Sequence, residues 1–101
     1  MNELTAKQRK RLRAMAHALE PVVHVGKLGA SDEVVRQVDR ALAAHELVKV
    51  RFVAGREEKA AFVAELSART GAAAAGVVGH VAILYRPHAE AEKRRIRLAD
   101  R

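Results

Sequence analysis

The chain has no cysteine and no tryptophan, and only one tyrosine and two phenylalanines among its 101 residues. Lack of cysteine excludes disulfides and thiolate metal sites and fits a reducing compartment. Scarcity of aromatics leaves no stacking platform for bases. No apolar run approaches the roughly 20 residues of a membrane span. The first residues, Met1 to Thr5, turn straight into a charged helix without the apolar region of a signal peptide. A soluble cytoplasmic protein with no membrane association is therefore expected. Catalytic patterns are missing too. The two serines, Ser31 and Ser67, lie in no nucleophile elbow, and the P-loop pattern is absent. The five histidines (His17, His24, His45, His80, His88) show neither an i,i+4 pair nor the carboxylate spacing of a metal site. The acidic pairs Asp32-Glu33 and Glu57-Glu58 stand at helix starts, where the helix dipole accounts for them. No enzyme, metal or cofactor is expected.

What is present is enough for one domain with a modest core. About a fifth of the chain is alanine, so valine and leucine do most of the burying. The net charge is +7. Residues 1–29 carry six basic and two acidic side chains, hence +4; residues 30–85 carry seven of each; residues 86–101 carry six and three, hence +3. A basic excess at both ends and a neutral middle point to a polyanion, nucleic acid before anionic membrane. Arginine outnumbers lysine thirteen to six, which suits phosphate geometry.

Periodicity gives the element order. Thr5 and Gln8 form a capping box for a helix running to about Leu19, with Leu4, Leu12, Met15, Ala16 and Leu19 as its apolar stripe. Glu20-Pro21 ends it. Val22 to Val25 make a strand in which His24 points away from its neighbours. Ser31 caps a second helix, through about Ala44. Leu47 to Val53 alternate, with Val48, Val50 and Phe52 on one face and Lys49 and Arg51 on the other. A third helix spans about residues 56–69 and stops at Gly71. The alanine run 72–75 is read as the weak start of a strand. Gly79-His80 then turns a hairpin, of type II′, into Val81 to Tyr85. The expected fold is α/β: two-layer α-β-α-β-α-β-β with a mixed four-stranded sheet, over residues 1–87. A basic C-terminal tail, 88–101, is either a flexible arm or docked through Ile96 and Leu98.

Two features point to a ligand. Gly26-Lys27-Leu28-Gly29 joins the first strand to the second helix. Its glycines permit tight backbone, Lys27 adds charge, and unpaired helix N–H groups follow, all of which suits a phosphate. Many strand-to-helix turns need glycines for geometry alone, so the motif decides little by itself. The first helix carries the second feature. Arg9, Lys10, Arg13 and His17 lie opposite the apolar stripe, flanked by Lys7 and Arg11. Like charges at helical spacing destabilise the helix slightly, and mixed signs would serve solubility better, so an anion-binding face is favoured over simple solvation. Lys49 and Arg51 either extend that surface or guard a sheet edge.

Several runs, in order, resemble a known family: Leu4-Thr5-Ala6-Lys7-Gln8, Leu12-Arg13-Ala14-Met15-Ala16-His17, Pro21-Val22-Val23, Val25-Gly26-Lys27-Leu28-Gly29, His45-Glu46-Leu47-Val48-Lys49-Val50, Thr70-Gly71-Ala72, Val78-Gly79-His80 and Leu84-Tyr85-Arg86-Pro87. Together they resemble the CRM domain of chloroplast splicing factors, and most closely the single-domain bacterial YhbY-like proteins. The resemblance implies a fold similar to the C-terminal domain of translation initiation factor 3. It implies RNA binding by a GxxG loop that works like that of KH domains, and in bacteria association with precursor ribosomal RNA of the large subunit. By this resemblance Gly26, Lys27, Leu28 and Gly29 contact RNA, with Arg9, Lys10 and Arg13 beside them. Leu28 and the alanine run 72–75 depart from the pattern. A monomer is expected. The rival reading is a protein-interaction module whose basic helix docks on an acidic ribosomal or regulatory partner.

Overall fold

The computed structural model describes residues 4–54 and 56–98. Four strands form one sheet in the order β1-β2-β4-β3: β1 Pro21–Val25, β2 Leu47–Phe52, β3 Ala73–Val78 and β4 Val81–Tyr85. The helices are α1 Ala6–Ala16, α2 Asp32–His45 and α3 Lys59–Thr70, the last preceded by a short 3-10 turn, Arg56–Glu58. β1 and β2 pair in parallel around α2, as short strand-helix-strand connections require. β4 is antiparallel to both β2 and β3. Thus β3 runs parallel to β2 without touching it, because β4 inserts between them.

The helices divide between the two faces of the sheet. α2 and α3 cover one face, where Val38 and Leu42, then Val63 and Leu66, pack on Val23, Val25, Val50 and Phe52. These two layers match the expected architecture. α1 adds a partial third layer on the opposite face, where Leu12 and Ala16 meet Leu47, Ala75, Ile83 and Tyr85. The alternation of β2 dictates this: its even residues face α2 and α3, its odd residues α1. One helix cannot cover four strands, so Lys49 and Arg51 stay beside a partly open sheet face.

Local signals hold where chemistry is local. Thr5 Oγ1 accepts the Gln8 N–H at 3.0 Å, and Gln8 Oε1 accepts the Thr5 N–H at 3.0 Å. Ser31 Oγ accepts from the N–H of Val34. Gly79 has φ +59° while His80 stays out of the left-handed region, as a type II′ turn demands. Two expectations change. α1 stops at Ala16, not Leu19, with Leu19 N–H bonded to the Ala16 carbonyl in a tighter turn. Leu19 thus falls outside the helix, and it and Met15, in the last turn of α1, remain 38% and 37% exposed instead of completing a buried stripe.

The tail packs on the domain over its described part. Ile96 is buried in the cluster under α1, with Leu98 against it. A carboxylate holds this segment. Glu46, buried and in the left-handed region at φ 66°, accepts the N–H groups of His88 at 2.7 Å, Arg95 at 2.7 Å and Ile96 at 3.0 Å. Burial opposes the charge on Glu46, but the three donors outweigh it and hold the carboxyl below its ordinary value.

Candidate nucleic-acid interface

The Gly26–Gly29 loop is a closed turn, with the Gly29 N–H donating to the Gly26 carbonyl at 3.0 Å. Its two glycines play different parts. Gly29 sits at φ +62°, and a Cβ there would meet the Phe62 ring at 2.3 Å. Phe62 in turn stacks on Phe52, ring centroids 6.4 Å apart, so Gly29 clamps the loop to the core. Gly26 has an ordinary φ, and a Cβ on it would have nothing within 4 Å. Packing therefore gives no reason for glycine at 26. Between them, the N–H groups of Lys27 and Leu28 have no acceptor among the described residues. Both side chains are exposed; Leu28, at 87%, faces solvent and not the core.

Arg69 fixes the stretch that follows the loop. It donates to the Ala30 carbonyl at 3.0 Å and to Asp32 Oδ1 at 2.7 Å. The hydrogen bond and charge of Arg69 hold the Asp32 carboxyl below its ordinary value. The first acid after the loop is thus paired with a cation, which limits its repulsion of an anion. Nothing in the mixed-sign sequence of α3 marks Arg69 for this role.

On the α1 side of the sheet lies a groove of about 370 Å³ lined by Arg13, His17, Lys49 and Arg51, with Pro21, Val81 and Ile83 as its floor. It brings together three of the basic residues singled out in the sequence and one histidine from the same helix face. The lining is not uniformly basic, since Glu20 also contributes. β1 places His24 beside Arg51 in register. Gly26 follows His24 by two residues, roughly 7 Å along the strand. The groove and the loop are therefore neighbours at one end of the sheet.

The remaining basic residues differ in how freely they can act. Lys7, Lys10 and Arg51 are exposed without a partner among the described residues. Arg9 is turned back to the Leu4 carbonyl at 2.6 Å and does not line the groove. Arg13 lays its stem over Gly76, where a Cβ would meet its Cδ at 2.6 Å, and donates to the Ala75 carbonyl at 3.0 Å. Lys49 donates to the Leu19 carbonyl at 3.0 Å, which ties the α1–β1 loop to β2. Arg13 and Lys49 thus position backbone as well as presenting charge. Among the described residues no group of three or more metal-binding side chains occurs, and no helix is long and apolar enough to cross a membrane.

The site is thus a strand-loop-helix with free N–H groups, next to a basic groove on an α-β-α-β-α-β-β frame. The CRS1/YhbY (CRM) domain model aligns with residues 4–86. The chain belongs to the CRS1/YhbY (CRM) domain family. Among its relatives is a Haemophilus influenzae protein named "RNA-binding protein", 39% identical over 93 residues that span 91% of this chain and 94% of that one. A Bacillus subtilis relative, "Probable RNA-binding protein YqeI", is 36% identical over 88 residues, 86% of this chain and 92% of its own. The solution structure of a Staphylococcus aureus protein superposes with TM-score 0.79 at 29% identity, covering 94% of this CRM-domain chain and all of that one.

Proposed function

We propose that this CRM-domain protein binds RNA, as a monomeric cytoplasmic assembly factor on precursor ribosomal RNA of the large subunit. The observation that carries the reading is the Gly26–Gly29 loop, with two unpartnered N–H groups, beside a groove containing four basic or imidazole side chains. Phosphates would meet the N–H groups of Lys27 and Leu28, with the Lys27 ammonium adding charge. Gly26, with nothing within 4 Å of where a Cβ would stand, leaves room for a backbone phosphate to approach closely. Arg51, Lys49 and Arg13 would continue the track along the sheet, and Lys10 and Lys7 along α1. Names of the relatives agree with an RNA partner. The shortage of aromatics favours contacts to backbone and shape.

The test is equilibrium binding to purified, protein-free large-subunit precursor RNA over a range of salt concentrations. The double variant Lys27→Ala/Arg51→Ala should bind more weakly and lose about one phosphate from the salt slope per residue removed. Unchanged affinity and slope would remove this surface from consideration. Binding to ribosomal particles but not to protein-free RNA would instead support docking on an acidic protein partner.

A further inference from the structure

A second cavity opens beyond the loop that joins α1 to β1. It encloses about 460 Å³, within the roughly 300–1,000 Å³ range of small-ligand sites. Its apolar lining includes Met15, Leu19, Val22, Leu47 and Ile96. Met15, Leu19 and Val22 are 37%, 38% and 50% exposed, although each is a large apolar residue. Half-exposed aliphatics converging on a concavity mark a surface completed by something else. Polar groups stand among them: Glu20, His45 and Arg95. The Arg95 guanidinium has no partner among the described residues.

Position narrows the occupant. Leu19 and Glu20 line both this cavity and the basic groove, so the two adjoin across the α1–β1 loop. A strand whose phosphates follow Arg51, Lys49 and Arg13 arrives at the mouth of the apolar cavity. Arg95 can take the next phosphate there. We propose that this cavity receives an unpaired base of the RNA held in the groove, a reading that rests on the RNA-binding function proposed above. The faces of a base are apolar enough to be buried between aliphatic walls, without an aromatic platform. The Glu20 carboxylate is an acceptor, so it suits a base edge that presents N–H donors. A base must be unpaired to enter, because a base in a duplex is stacked and its A-form major-groove edge is out of reach. The protein would then distinguish single-stranded segments from duplex by burial as well as by charge.

The experiment compares the full chain's affinity for a short single-stranded RNA with that for an equally long strand of abasic ribose phosphate. Wild type should prefer the base-bearing strand on the order of tenfold, from the apolar surface of the base removed from water. In Met15→Gln/Val22→Gln, which alters two half-exposed positions, that ratio should collapse toward one. A urea melt checks that this variant folds. Arg95→Gln, at an exposed position, gives a second reading: as the loss of a phosphate contact it should weaken both strands alike and leave their ratio as in wild type. Equal wild-type affinity for the two strands would overturn the pocket while leaving backbone binding intact. A preference that survives in Met15→Gln/Val22→Gln would also overturn it. So would a wild-type dimer that this variant dissociates, which would assign the cavity to a second copy. Failure of both strands to bind would overturn the RNA-binding reading and the pocket with it.

Discussion

Removing the Glu46 carboxylate tests whether one buried acid holds the C-terminal segment in place. In Glu46→Ala the N–H groups of His88, Arg95 and Ile96 lose their acceptor. If the segment stayed docked, each unsatisfied donor would cost about 1–3 kcal/mol. It has an escape, which is to lift off and hydrate. The loss is then limited to what docking contributes: the three bonds and the burial of Ile96, the latter about 1.5–3 kcal/mol. Undocking regains the conformational entropy of the segment, which offsets part of that sum, so the expected destabilisation is about 2–4 kcal/mol, or roughly 8–30 °C in Tm for a domain of this size. Alanine still carries a Cβ at φ 66°, so it gains nothing in backbone strain. Glu46→Gly would recover about 1 kcal/mol of that strain and separates the backbone from the carboxylate. Urea unfolding followed by circular dichroism gives the free energy. Limited trypsin digestion reports the segment directly, since Lys93, Arg94, Arg95 and Arg97 are cleavage points. Stability within about 0.5 kcal/mol of wild type, or no faster cutting at those residues, would refute the latch.

Acid should act on the same carboxylate. Its value in the folded protein lies below the ordinary 4.5, so its contribution is complete above that value and is lost as pH falls through the lower, folded one. Unfolding free energy measured against pH should decline through that acid range less steeply in Glu46→Gln than in wild type. At Gly29 alanine combines left-handed strain with a clash on Phe62, and about 2–4 kcal/mol of stability should be lost in a denaturant melt. Gly26→Ala should keep stability within about 0.5 kcal/mol, yet weaken RNA binding in a filter or anisotropy assay. Equal effects of the two glycine substitutions on stability would contradict the division of labour between them.

The features readable in the sequence were those whose causes lie within a few residues. Thr5 with Gln8, Ser31 before Asp32, Gly71 after Thr70 and the alternation of Leu47 to Phe52 each name their own structure. The order of the sheet was not readable, because nothing near Gly79-His80 states on which side of β2 the hairpin will fall. Nor was Glu46. Its partners lie 42 to 50 positions further on, and its left-handed φ has no glycine or asparagine to announce it. At the candidate site, residue types pointed to the loop and the basic groove, but not to how freely each cation could act. The carbonyls that engage Arg9, Arg13 and Lys49 became visible only with the backbone in place. Met15 and Leu19 show the opposite failure. Helical spacing predicts burial, but the helix ends before Leu19, and Met15, in its last turn, stays half-exposed at the apolar cavity.

The contact between Arg13 and Gly76 bears on how such sequences can change. The arginine stem occupies the space that any side chain at position 76 would need, so the two positions form one unit 63 residues apart. A substitution at 76 displaces a cation from the groove without touching it. An arginine at 13, conversely, is usable only where the strand below it is bare. In the CRM family the two sites should therefore drift together, with a side chain at the strand position accompanied by a shorter or differently directed residue on the helix.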